Sequence, residues 1–145
     1  MRPYVATVIA DIKTVNRTVQ KRIVPSKQLL DYLTMFGEAQ GLDRGIDVRL
    51  GIGESLEDIA ELTRFIETHK ITKVTFLPAL KQIAGERRSP SSFYIARWIA
   101  ETRINFPKIK IVVGTWLQRE AEVGLFLHAG ANAITQFPAL KFFNS

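Results

Sequence analysis

Charged residues inside a β-strand are uncommon, and this chain has two of them in Asp47-Val48-Arg49-Leu50-Gly51. A strand alternates its faces, so Asp47, Arg49 and Gly51 share one side and Val48 and Leu50 the other. With the apolar pair turned to covering helices, Asp47 and Arg49 point the opposite way, into a lumen if the sheet curls into a barrel. There the planar fork of Arg49 suits a substrate carboxylate or phosphate, or it simply neutralises Asp47 in a buried ion pair. Gly51 and Gly53 follow, and glycine lets the backbone approach a ligand closely. Glu54 then offers a carboxylate, or complements the start of the next helix. Asp11 closes the apolar run from Tyr4 to Ala10, at the strand end where α/β sites form, and a turn or cap role fits it equally. Trp116, beyond a fourth strand, either stacks on a ligand or covers the rim.

Other chemistries find less support. His69 and His128 fall near helix C-termini, where a cation is favoured, and no carboxylate stands at ligand spacing from them. Gly51-x-Gly53 lacks the third glycine of a dinucleotide fingerprint. The chain has no cysteine, which excludes disulfides, thiolate zinc sites and a cysteine-held iron–sulfur cluster within it. Its net charge of +6 comes from scattered residues such as Lys21, Arg22, Arg87, Arg88 and Lys110. That scatter favours a solvated basic surface or an anionic small ligand over nucleic acid. No apolar run is long enough to span a bilayer and no secretory signal pattern is present, so a soluble cytoplasmic protein is expected.

The elements that must position these residues follow from length and periodicity. A chain of 145 residues, 46 % hydrophobic, is one domain with ample core. Strands are expected at Tyr4 to Ala10, Asp47 to Gly51, Lys73 to Leu77, Lys110 to Val113 and Ala133 to Phe137. Helices are expected from Ser26 to about Ala39, from Ser55 to His69, after Ser89-Pro90, and from Gln118 to His128. The segment from Asp11 to Pro25 reads as a polar connection. Ser55 with Asp58 reads as a capping box. Leu56 and Ala60 are expected inward on the second helix, and Phe93, Ala96 and Ile99 on the third.

Strict β-α alternation means parallel strands with right-handed crossovers. A doubly wound sheet and part of a (β/α)₈ barrel both fit. The charged strand interior, the strand-final glycines and the Ala129-Gly130-Ala131-Asn132 corner favour the barrel. A closed small barrel needs about eight strands, and five are expected here. The fold class is therefore α/β, a partial TIM-type barrel of about five parallel strands alternating with four helices. Its two open edges call for pairing with a second copy or another chain.

Three stretches resemble the C-terminal half of radical S-adenosylmethionine enzymes of the biotin synthase group. They are Thr14 to Ser26, Leu50-Gly51-Ile52-Gly53-Glu54-Ser55-Leu56-Glu57-Asp58, and Val74-Thr75-Phe76-Leu77-Pro78 with its loop to Ser89-Pro90. The family's Gly-x-Ile-x-Gly-x-x-Glu pattern is kept at Gly51 and Glu54, with Asp47 and Arg49 at the two earlier positions. The resemblance implies an S-adenosylmethionine wall near Asp11, Gly51 and Glu54, to which Gly53 is added as the second glycine of the turn, while the residues' own placement makes Asp47, Arg49 and Trp116 the candidate substrate contacts. It also implies that the iron–sulfur cluster belongs to a separate N-terminal-half subunit or domain, because the three-cysteine motif is absent. Two further readings stand beside it. One is a non-catalytic, homo-oligomeric half-barrel that binds an anion or serves as a scaffold. The other is a small phosphate-binding (β/α) enzyme with its site near Gly130 to Asn132.

Overall fold

A computed structural model of the chain describes residues 7–26, 29–38, 41–79, 89–115 and 119–135. Trp116, Arg87, Arg88, the first residues of the expected first strand, Ala39, Gln118 and the end of the expected fifth strand lie outside the described residues, as do the side chains of Leu29, Leu30 and Leu33. The elements run β1 (Thr7–Lys13), α1 (Arg17–Ile23), α2 (Leu29–Glu38), β2 (Asp43–Leu50), α3 (Asp58–His69), β3 (Lys73–Pro78), α4 (Ser92–Asn105), β4 (Lys110–Gly114), a 3₁₀ turn (Glu120–Glu122), α5 (Val123–Ala129) and β5 (Ala133–Thr135).

Every strand pair is parallel, and the sheet order is β1-β2-β3-β4-β5. A doubly wound sheet would reverse direction at a switch point. Strictly sequential order is instead the arrangement of a barrel wall. The core lies between the sheet and its helices: Ile46, Val48 and Leu50 of β2, Val74 and Phe76 of β3, and Ile111 and Val113 of β4 are buried against Leu62, Phe65 and Ile66 of α3 and Ile95, Trp98 and Ile99 of α4. The apolar parity of β2 thus faces the helices, and Asp47 and Arg49 occupy the other, concave face, where both are half-buried.

Three expectations about local structure need correction. The stretch after Asp11 is not a polar connection: β1 continues to Lys13, and helix α1 follows. Asn16 caps that helix by accepting the N–H of Val19 at 3.0 Å. Val19 packs with Ile52 and Ala79 in a small second cluster, so α1 lies over the ends of β2 and β3. Second, α3 begins at Asp58 rather than Ser55, and Leu56 and Ala60 are exposed. Asp58 does accept the Ser55 N–H at 2.9 Å, which is half of the expected capping box, but the first turn is held by backbone bonds to the carbonyls of Ser55, Leu56 and Glu57. Third, Phe93 is 79 % exposed. The inward stripe of α4 is Ile95, Trp98, Ile99 and Thr102, and Phe93 lies about 200° around the helix from Ile95.

At the lower end of the sheet, Arg103 ties α4 to the corner before β5. It donates to the carbonyls of Gly130, Pro107 and Ile109 at 2.8–3.0 Å and to Asn132 Oδ1 at 2.6 Å. Asn132 Oδ1 also accepts the Ile111 N–H at 2.8 Å. This corner stands at the N-terminal end of β5, remote from the strand ends that carry sites in such folds, and its polar atoms are spent on Arg103. No described helix is long and apolar enough to cross a membrane.

Candidate active face

Register places one residue from each strand in a single row across the concave face: Asp11, Asp47, Thr75, Val112 and Ala133 are successive partners. Partners in a parallel sheet point to the same side, with strands about 4.8 Å apart. Asp11 and Asp47 are thus neighbouring carboxylates. Beyond Asp11 the register slips by one residue, and Lys13 takes a left-handed backbone (φ 66°). The slip returns the Lys13 ammonium to the Asp11 carboxylate, where it pairs with Oδ2. Asp11 Oδ1 is buried and has no hydrogen-bond partner among the described residues.

Burial pushes the Asp47 carboxyl above its ordinary value, and the Asp11 charge adds to the rise; the Thr75 hydroxyl, Lys73 and Arg49 oppose it. Arg49 follows Asp47 on the same face, level with Leu77, and its guanidinium makes no hydrogen bond among the described residues. Asp11, Asp47 and Arg49 are therefore brought together. Thr75, Lys13 and Lys73 complete the group, and sequence reasoning had left them unassigned. Thr75 stands between Val74 and Phe76, an alternation that could have revealed it.

Glu54 and the glycines form a different construction at the end of β2. Glu54 turns back on its own loop, accepting the N–H of Gly51 at 2.6 Å and of Ile52 at 2.9 Å. Tyr94 of α4 donates its phenol to the same carboxylate at 3.0 Å. Burial raises the Tyr94 pKa well above the ordinary phenol range, and the adjacent Glu54 carboxylate reinforces it. Gly51 has φ 93°, and a Cβ there would stand 2.7 Å from Pro90 Cδ. Its missing side chain makes room for Pro90. Gly53 is exposed at φ 124°. Nearby, Asn16 donates to both oxygens of Asp58 at 3.1 Å, and Arg22 donates to the Ile52 carbonyl at 2.9 Å. These bonds bind the β1 and β2 exit loops into one rim.

His69 ends α3, with its ring 4.6 Å from that of Phe65. Burial and the Arg44 charge lower its pKa. It borders an outer cleft of about 190 Å³ shared with Arg17 and Arg64, away from the concave face. His128 is exposed on α5. Among the described residues no three His, Cys, Asp or Glu side chains are grouped to hold a metal ion.

No family model matches the chain. It is 34 % identical over 108 residues to an uncharacterized protein of Methanocaldococcus jannaschii, MJ0597, a match covering 72 % of this chain and 30 % of that protein. The chain thus spans about a third of the length of the curated relative it matches. Among solved structures it is similar to a putative phosphonomutase from Burkholderia cenocepacia J2315, with a TM-score of 0.58 and 14 % identity, covering 94 % of this chain and 72 % of that one. At that identity the likeness concerns the fold alone. The chain is an α/β protein, a partial TIM-type barrel of five parallel strands whose concave face carries Asp11, Asp47 and Arg49.

Proposed function

We propose that this chain is the C-terminal part of a cytoplasmic radical S-adenosylmethionine barrel enzyme, contributing one wall of the cavity where cofactor and substrate meet. The cluster-bearing part comes from an N-terminal half or a partner subunit. The observation that carries the reading is the row Asp11–Asp47–Thr75 with Arg49 beyond it, on the inner face of a sequentially ordered parallel arc. Charge held on the concave side of such an arc serves a ligand, because a purely structural interior would be filled by branched apolar side chains.

The fit of S-adenosylmethionine to these residues is uneven. The Asp11 carboxylate, half-exposed and level with Asp47, suits a hydroxyl or ammonium donor. Gly53, exposed with a left-handed backbone, leaves its main chain open to a ligand. Glu54 and Gly51 shape the wall rather than bond the cofactor, because the Glu54 carboxylate already accepts from Gly51, Ile52 and Tyr94, and the Gly51 N–H is spent on it. When bound beside a reduced iron–sulfur cluster, S-adenosylmethionine supplies radical chemistry. The residues here bind and orient, with Arg49 placed for a substrate carboxylate or phosphate.

The self-satisfied Glu54 loop favours a second reading, a homo-oligomeric half-barrel that acts as a binding or scaffold protein. Anaerobic recovery of the chain from its native source, with mass and iron analysis, separates the two. A co-purifying protein with an iron–sulfur cluster, and S-adenosylmethionine affinity that rises in the complex, supports the first. An iron-free self-associated species indifferent to S-adenosylmethionine sinks it and supports the second.

A further inference from the structure

We infer that the concave face receives an α-amino-acid group of a small substrate, its ammonium against the Asp11–Asp47 pair and its carboxylate against Arg49. The inference rests on the reading of this face as a substrate wall and leaves the identity of the cofactor aside. Asp47 and Arg49 are two residues apart on one strand face, a span of roughly 6.6 Å at the backbone. Asp11 stands level with Asp47 on the next strand. An α-ammonium and its carboxylate are separated by one carbon, so a single such group presents its two opposite charges to neighbouring side chains of one strand face.

The charges that face the site decide the ligand class. From β1 come Asp11 and Lys13, already paired with each other. From β2 come Asp47 and Arg49; from β3 come Lys73, the Thr75 hydroxyl and apolar Leu77. A simple anion at Arg49 meets repulsion from Asp47 and Asp11 close by. A simple cation between the two carboxylates meets Lys13, Lys73 and Arg49. A zwitterion offsets each repulsion with an attraction, because its own opposite charges match the mixed charges of the face. Its ammonium lies between the Asp47 carboxylate and the exposed part of the Asp11 carboxylate, while its carboxylate takes the Arg49 fork, which has no hydrogen-bond partner among the described residues, in charge-assisted hydrogen bonds. The group adds no net charge to a partly buried face, so the desolvation cost of an uncompensated ion is avoided.

S-adenosylmethionine also ends in an α-amino acid, so the test distinguishes the two sources. The ¹⁵N-labelled 145-residue chain is titrated with L-leucine, N-acetyl-L-leucine, L-leucine methyl ester and S-adenosylhomocysteine, following amide shifts. L-leucine is expected to move the resonances of Asp11, Asp47, Arg49 and Thr75, with each blocked derivative binding at least about tenfold more weakly. Arg49→Gln is expected to weaken L-leucine by a similar factor and to leave the methyl ester unchanged, a contrast that loss of folding does not produce. Equal binding of the blocked compounds, or no shift with L-leucine, overturns the inference. Competition between S-adenosylhomocysteine and L-leucine overturns the substrate assignment, because the site then holds the cofactor's own end; simultaneous binding supports it. L-leucine binding without any S-adenosylhomocysteine binding upholds the inference and counts against the radical reading, so the two fail separately.

Discussion

Tyr94 and Glu54, forty residues apart in sequence, meet through a 3.0 Å hydrogen bond from phenol to carboxylate. The bond joins the exit loop of β2 to the first turns of α4. Because the same carboxylate holds the Gly51 and Ile52 amides, its removal leaves both amides without that acceptor and Tyr94 with only the Glu54 carbonyl, at 3.3 Å. Glu54→Ala is expected to cost about 2 to 4 kcal/mol and Tyr94→Phe about 1 to 2 kcal/mol. In a double-mutant cycle by urea denaturation the pair should couple by about 1 kcal/mol or more. Additive losses would mean the bond contributes nothing.

The Arg103 guanidinium occupies the space beside Gly130. A Cβ at Gly130 would lie 2.7 Å from Arg103 Cγ, in a backbone of φ 121°. Gly130→Ala should therefore destabilise the chain by about 1 to 3 kcal/mol. Arg103→Ala, which strips the bonds to Gly130, Pro107, Ile109 and Asn132, should cost about 2 to 3 kcal/mol. Thermal unfolding of both variants checks this, and a wild-type Tm for Arg103→Ala would remove the corner from the list of stabilising contacts.

Lys70 takes a left-handed backbone (φ 53°) at the end of α3, its N–H bonded to the Ile66 carbonyl. Its side chain is exposed, so replacement loses little. Lys70→Gly should stabilise the chain by about 1 kcal/mol, read as a higher urea midpoint with an unchanged slope.

Asp47 gives the concave face a pH signature. Its carboxyl is raised from the ordinary value of 3.8, by burial first and by Asp11 second. A carboxyl raised on folding holds its proton more tightly in the native state. Its contribution is therefore fully present below the unfolded value and is lost as pH rises through the folded one. Asp47→Asn mimics the protonated form at every pH. The stability of this variant relative to wild type should rise between pH 3 and pH 7, and a difference that stays flat over that range would mean that burial at Asp47 carries no penalty.

The order of the strands was legible because the short β-branched and aromatic stretches from Val74 to Leu77 and from Ile111 to Val113 alternate with longer segments of helical spacing. The orientation of Asp47 and Arg49 was legible too, since Val48 and Leu50 left only one side for them. What remained hidden was whatever depends on distant partners. Helix α1 is mostly polar, and it forms because Asn16 is held by Asp58, forty-two residues on. Phe93 was misread because a helix start fixed at Pro90 shifts the apparent stripe, whereas the stripe is set by Trp98 and Ile99 against Phe76. The role of Glu54 could not be read locally, because Tyr94 arrives from another crossover. The Asp11–Asp47 pairing needs the register of two strands that a two-helix connection separates.

Strictly sequential strand order makes each βα unit a tile whose strand pairs only with the strands of the tiles before and after it in the chain. Covalent continuity between neighbouring tiles is then a convenience of synthesis and not a requirement of the architecture. The wall can be opened at a crossover and reassembled from separate polypeptides, or permuted so that a different strand comes first, provided both halves present complementary edges. An engineered break between α3 and β3, co-expressed as two pieces, should restore the Asp11–Asp47–Thr75 row by edge pairing alone.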